Sequence, residues 1–391
     1  MLRHSFAFGW LARTTIFAAL VCQGLWSARG AGPDSPTFNG ITADSELYRQ
    51  VVDRAIAFLE TKSQAPDGGY AKQAGPGVTA VVTTGILRNG RSPNDPLVAR
   101  SLKFLESFVQ PDGGIYQPGT LYQNYETCLA MMCFSAANRG GRYDKLLKDA
   151  ERFLKGEQWD ERKGHDRSSP SYGGAGYGRH KRPDLSNTQF FIEALRAAGN
   201  GPDDPAIQKA LVFVSRCQNL ESEHNTTGLA ALNPDGGFYY TAAAGGESQA
   251  GKLPNGGLRS YGSMTYAGLK SMIYAGVGPD DPRVKAAVAW IKKYYGLDSN
   301  PGIGSAGLYY YYHTFAKALD ALGQDVIEDQ QGVKHHWRRE LLHELARRQR
   351  PDGSWVNDDS RWLEGDPSLV TGYALLSLAY CRPQVAGDKA R

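Results

Sequence analysis

FLETKSQAPDGGY, Phe58 to Tyr70, joins an amphipathic run to an apolar one. Pro66 presets φ, the Asp67 side chain can bond the backbone ahead of it, and glycine takes positive φ, so Pro-Asp-Gly-Gly is a turn with a mechanism. The same turn recurs as PDGG at Pro111 to Gly114 and Pro234 to Gly237, and as PDGS at Pro351 to Ser354. Turns spaced in this way punctuate a repeat.

Amphipathic helices precede the turns. In DDPRVKAAVAWIKK, Asp281 is placed as a cap and Pro282 in the first turn, with Val284, Ala287, Val288 and Ile291 on one face. DDPAIQKALVFVSRCQ repeats the pattern with Ile207, Ala210, Leu211 and Val214. NDPLVARSLKFLESFVQ, YDKLLKDAERFLKGEQ, SELYRQVVDRAIAFLETKSQ and KHHWRRELLHELARRQ complete a set of six.

More apolar helices follow. VTAVVTTGI, ETCLAMMCF, NTQFFIEAL, MTYAGLKSM, HTFAKALDA and VTGYALLSL align on Thr79, Thr127, Thr188, Thr265, Thr314 and Thr371. No pair can bury its apolar helix alone, so neighbouring pairs must stack. Six pairs predict closure into an all-α, α/α toroid (an α6/α6 barrel) with the apolar helices inside, spanning residues 45–381. The best strand-like run, GLYYYYHTF, fits a helix start equally well.

With 391 residues, 41% of them hydrophobic, the chain can bury a large core. Residues 1–30 read as a secretory signal, with Arg3 and Arg13 ahead of an apolar run from Ile16 to Trp26 and then Ala28-Arg29-Gly30; an uncleaved anchor is the alternative. The protein is therefore expected to be exported, to the periplasm or beyond, with 31–44 as a linker and 382–391 as a tail. No other segment approaches the length of a membrane helix, so the mature chain is expected to have none. Cleavage would lower the formal charge from +4 to +1 by removing three arginines and no acid, leaving no argument for a nucleic-acid partner. Cys128, Cys133, Cys217 and Cys381 fall in helical patterns without metal-ligand or redox spacing, as small buried residues would. A monomer without cofactor or metal is expected.

The apolar pair, glutamine, Pro-Asp-Gly and aromatic of FLETKSQAPDGGY and LARRQRPDGSW resemble the repeat of squalene and terpene cyclases and of protein prenyltransferase β-subunits, over nearly the whole mature chain. The resemblance implies the toroid, and an isoprenoid or other largely apolar ligand in its barrel. Cyclases of this kind protonate substrate with Asp-x-Asp-Asp before a threonine. Here RPDLSNT keeps Asp184 but has Ser186 at the central position and Asn187 beside it, and neither can act as the strong carboxylic acid that an alkene requires. The prenyltransferases hold zinc with an Asp-x-Cys pair and a histidine before threonine. His313 matches the histidine, but Tyr261 and Ser263 stand where the other ligands belong. Thioester-domain relatives need a Gly-Cys-Gly-Glu-Gln, which is absent.

In this register the residues one, two and four positions before each threonine face one end of the ring. In the four central repeats they are Gln123, Tyr125 and Glu126; Asp184, Ser186 and Asn187; Tyr261, Ser263 and Met264; and Tyr310, Tyr312 and His313, while the first and sixth repeats are apolar or small there. Glu126, Asp184 and His313 form a candidate acid/base or metal-binding trio, because a desolvated carboxylate near a histidine can hold a pKa suited to proton transfer. The bland alternative makes them helix caps and a hydrogen-bonded histidine. The long segment from Asp160 to Asp184 is either a solvated connection or a binding loop contributing Tyr172, Tyr177 and Arg179. His335, His336 and His343 are expected on a solvated outer helix. Two functions follow: an isoprenoid-transforming enzyme homologue without the standard acid and zinc motifs, or a non-catalytic toroid binding a glycan, peptide or protein at its rim.

Overall fold

The computed structural model describes residues 40–179 and 182–383. The expected signal, the linker up to residue 39 and most of the tail lie outside the described residues. The apolar helices form an inner ring: α2 (Pro76–Arg88), α4 (Gln123–Ala137), α6 (Leu185–Ala197), α8 (Gly262–Tyr274), α10 (Leu308–Leu322) and α12 (Pro367–Leu378). Each packs on the next and α12 packs on α2, which closes the ring. The amphipathic helices lie outside: α1 (Gly40–Phe58), α3 (Pro96–Glu106), α5 (Asp144–Glu157), α7 (Pro205–Arg216), α9 (Pro282–Lys293) and α11 (Trp337–Arg348). The molecule is an all-α toroid, as the repeat predicts. GLYYYYHTF is the start of α10, because Tyr309, Tyr311 and Tyr312 are buried against neighbouring helices.

Asp95, Asp204 and Asp281 cap α3, α7 and α9 through side-chain oxygens, each followed by proline. Inside each turn, Asp67, Asp112, Asp235 and Asp352 accept the N–H two residues on, at 2.9–3.1 Å. The aligned threonines have a common task in five repeats. Thr79, Thr127, Thr188, Thr265 and Thr371 accept the N–H of Tyr70, Ile115, Ala175, Phe238 and Trp355 at 2.9–3.3 Å, tying each loop to its inner helix. Thr314 departs, donating to the Tyr311 carbonyl at 3.0 Å.

The repeat glutamines join neighbours. Gln64, Gln158 and Gln218 donate both to a glycine carbonyl in their own loop and to Leu97, Ala206 and Arg283 at the start of the next outer helix. Gln349 makes the same pair of bonds to Gly353 and, 298 residues back, to Val51 of α1. The last turn thereby docks on the first helix.

One expectation is corrected. His335 is not on an outer helix but in β2 (Lys334–His335), paired antiparallel with β1 (Ile327–Glu328), and His336 is the residue before α11. His335 stacks on Tyr295 with ring centroids 4.0 Å apart and bonds Glu340 at 3.1 Å, so local pairing stops α11 from starting earlier. His343 does lie on α11, exposed, 2.9 Å from Asp44. The four described cysteines are buried thiols.

Candidate functional site in the inner barrel

Every inner helix begins after a turn at the same end of the ring, so their N-termini surround one mouth. Tyr125 of α4 meets Phe190 of α6 at 5.6 Å between ring centroids; Phe190 meets Tyr310 of α10 at 6.1 Å, and Tyr310 meets Tyr373 of α12 at 5.9 Å. Tyr177, from the loop before α6, covers Tyr125 at 5.7 Å. Edge contacts of this kind suit aromatic quadrupoles. The mouth is therefore lined by aromatic rings from four inner helices.

A polar thread runs down from this layer. The Tyr310 hydroxyl lies 3.0 Å from Ser186 Oγ and accepts from Gln189 Nε2 at 2.7 Å. Gln189 Oε1 accepts from Lys270 Nζ, and Glu193 takes Lys270 on one carboxylate oxygen and Lys317 on the other. All three ionic side chains are at most 5% exposed. The two ammoniums hold the Glu193 carboxyl well below the usual range against the opposing effect of burial, while burial pulls Lys270 down to about 8 and lowers Lys317.

The trio of Glu126, Asp184 and His313 is divided among three settings. Glu126 accepts from Gln117 N at 2.8 Å and from the Thr120 hydroxyl at 3.2 Å, and so ties down its own loop. Asp184 caps α6, accepting from Asn187 N at 2.8 Å and from the Asn187 amide at 3.0 and 2.9 Å. His313 stacks on Tyr373 at 6.0 Å, its Nδ1 without a partner, and its charged neighbours are Lys317, Glu193, Lys270 and Arg88. Burial drives that imidazole well below its ordinary pKa, with Lys317 adding to the effect, so it is neutral. Asp184, raised to about 6 by burial, can exchange a proton near neutrality, but its oxygens serve as cap acceptors.

The other candidates divide similarly. Tyr125, Ser186, Tyr310 and Tyr177 meet in the mouth. Asn187 is committed to Asp184, Ser263 is bonded to Asn300 at 3.0 and 3.2 Å, and buried Tyr261 precedes α8. Gln123 opens α4 beneath Gly178, where an added Cβ would come 2.9 Å from the Gln123 nitrogen. Arg179 is exposed on the same loop. That loop is more than a connection, since the Tyr177 carbonyl accepts Asn124 N and Tyr125 N at 3.0 and 3.3 Å and caps α4. Tyr172 instead is buried beside the outer layer, its hydroxyl 3.0 Å from Glu161. Tyr312 does not face the mouth. Its hydroxyl reaches the Leu297 carbonyl at 2.5 Å and approaches Glu344 of α11, because the Thr314 register places Tyr310 on the inner face of α10.

Glu193, Lys270 and Lys317 were missed by the sequence reading. Their signal was present as a charge set inside each of the apolar runs FFIEAL, AGLKSM and FAKAL. Among the described residues no three His, Cys, Asp or Glu side chains converge as metal ligands, and no described helix is long and apolar enough to cross a membrane.

Burial raises Glu126 from 4.5 to about 7. The folded state then holds this proton more tightly than the unfolded chain, so stability falls as pH rises from about 4.5 to 7. Glu126→Gln is expected to flatten this part of the profile in melting temperatures measured from pH 4 to pH 8, about 0.5 unit apart. A variant whose offset from wild type is the same at every pH contradicts the assignment.

The site so defined belongs to an α/α toroid with an aromatic mouth above a buried ionic cluster. No protein-family model matches the chain, and no curated protein matches it. Among solved structures it is similar to a variant of type II terpene cyclase MstE from Scytonema in complex with geranylgeranyl dihydroxybenzoate, at 14% identity and TM-score 0.39 over 88% of this chain and 99% of that one. Apo MstE from Scytonema gives 15% identity and TM-score 0.35 over 86% and 98%. A protein from Actinoplanes gives 14% and 0.38 over 85% and 99%.

Proposed function

We propose that the protein is an exported toroid that binds an apolar, isoprenoid-like ligand at the aromatic mouth of its inner barrel, without acid-initiated cyclisation at RPDLSNT. The observation that carries this reading is the layer of Tyr125, Phe190, Tyr310 and Tyr373, which offers π faces and edges from four different helices. Ser186 is a hydroxyl bonded to Tyr310 and Asn187 an amide bonded to Asp184, so neither supplies a proton to an alkene. The cavity under the layer is only about 20 Å³, far short of the volume of an isoprenoid chain. A ligand of isoprenoid length therefore enters only if the rings turn aside, which for Phe and Tyr means rotation about two side-chain bonds.

The test is native mass spectrometry of the protein incubated with geranylgeraniol in a mild detergent. Saturable retention is expected, at least about 10-fold weaker in Tyr310→Ala, which corresponds to about 1.4 kcal/mol. Recovered alcohol should be unchanged. No retention by wild type contradicts the reading, and a cyclised product contradicts the absence of acid chemistry.

A second reading, a toroid whose rim binds a protein or glycan partner, is favoured by the exposed Leu121, Tyr122, Trp362 and Leu363 around the same end. Trp362 and Leu363 also hold left-handed backbone, with φ of 54° and 65°. Such strain in non-glycine residues needs support from its surroundings, here the Glu364 carboxylate that accepts Tyr309 N and Tyr310 N at 3.2 and 2.8 Å.

A further inference from the structure

The ionic cluster beneath the mouth is not used by the proposed function, and its charges do not balance. Lys270 and Lys317 are 0% and 5% exposed and share the single carboxylate of Glu193. Lys270 lies more than a turn before the end of α8, and Lys317 more than a turn before the end of α10, so the helix-terminal carbonyls that favour cations do not reach them. Arg88 is different: it is the last residue of α2, and it donates to the Tyr380 hydroxyl at 2.7 Å. The further acid nearby, Asp320, is exposed and bonds Arg338 at 2.8 Å. Among the described residues one ammonium is thus left without a counter-charge, in a medium where an unpaired charge is costly.

Beside this cluster lies the cavity of about 20 Å³, walled on its polar side by Arg88, Glu193, His313 and Lys317. His313, 3% exposed, has its buried Nδ1 unpartnered. As a neutral imidazole it can donate one N–H and so complete the coordination of an acceptor without adding charge. We propose that this cavity is a binding site for one small monovalent anion of halide size, held by Lys317, His313 and Arg88 and neutralising the second ammonium of the Glu193 cluster. So small a volume suits a monatomic anion rather than a carboxylate on a chain. The proposal is independent of what occupies the mouth.

The test uses the folded protein dialysed into sodium gluconate, whose anion is too large for the cavity, then titrated with sodium bromide at constant ionic strength. A saturable rise in melting temperature of several degrees is expected, and crystals grown in bromide should show an anomalous peak among Lys317, His313 and Arg88. Lys317→Met leaves Glu193 and Lys270 as a neutral pair and should abolish both signals. His313→Leu, which keeps the charge count, should reduce the bromide shift and serves if the lysine variant does not fold. Identical melting in the two salts, no anomalous peak in the cavity, bromide on the surface alone, or an undiminished shift in Lys317→Met would each overturn the site. The first of these results would mean that the excess charge is removed by proton release from one lysine.

Discussion

Glu193→Gln is expected to lose about 3–5 kcal/mol of stability, measured by urea unfolding at pH 7, the cost typical of removing one partner from a buried ion pair. The carboxylate accepts from Lys270 and Lys317 at once, and glutamine keeps the shape while leaving both ammoniums uncompensated. Replacing the whole group, Glu193→Leu with Lys270→Met and Lys317→Met, should recover most of the loss, because apolar side chains of similar volume avoid the desolvation penalty. The pH dependence has a definite sign. Because the folded-state carboxyl is held well below the usual range, its contribution is present above the ordinary carboxylate pKa and is lost only as pH falls through the lowered value. A loss under about 1 kcal/mol in Glu193→Gln would mean that the lysines are not both charged in the native barrel.

The second large effect is expected at Gly353. Its φ is +92°, and a Cβ there would lie 2.3 Å from the Arg54 carbonyl oxygen on α1. Gly353→Ala should therefore cost on the order of 3 kcal/mol or more, combining backbone strain with a contact against backbone that cannot swing away. Gly119 is the control: its φ is +81°, but a Cβ would meet nothing within 4 Å. Gly119→Ala should cost about 1 kcal/mol, from conformation alone. The difference isolates the close approach that lets Gln349 reach Val51 and the Arg54 guanidinium reach the Arg350 carbonyl at 2.8 Å. Equal losses in the two variants would remove the last turn from the closure of the ring.

The same turn shows why so much of the architecture was legible beforehand. Asp67 bonding Gly69, Thr79 receiving Tyr70 and Gln64 capturing its own turn are contacts within about a dozen residues, so spacing along the chain is nearly spacing in space. The alignment on threonine worked because a hydroxyl in the inner helix repeats that hydrogen bond in five of six copies. It failed in the fifth, where Thr314 turns back on its own helix and the inward aromatic is Tyr310 rather than Tyr312.

The site was less legible. Asp184, Ser186 and Asn187 were found because they sit in register, yet whether a polar residue at a helix start caps its own backbone or faces a cavity depends on φ, ψ and rotamer. Asp184 turned to Asn187, while Ser186 turned to Tyr310 on a helix 124 residues away. Glu126 and His313 were joined in one trio by register alone, but Glu126 bonds its own loop at Gln117 and Thr120, while His313 stacks on Tyr373 of α12.

The sequence by itself determined the twelve-helix repeat, the placement of turns and caps, and the hydroxyl and amide, not carboxyl, of Ser186 and Asn187 in RPDLSNT, because these are local or periodic properties of residue type. Only the tertiary structure decided that Glu193, Lys270 and Lys317, each a buried charge on a different inner helix, would meet in one place. Their meeting depends on ring closure and on the rotation of three helices about their axes, which no spacing along the chain encodes.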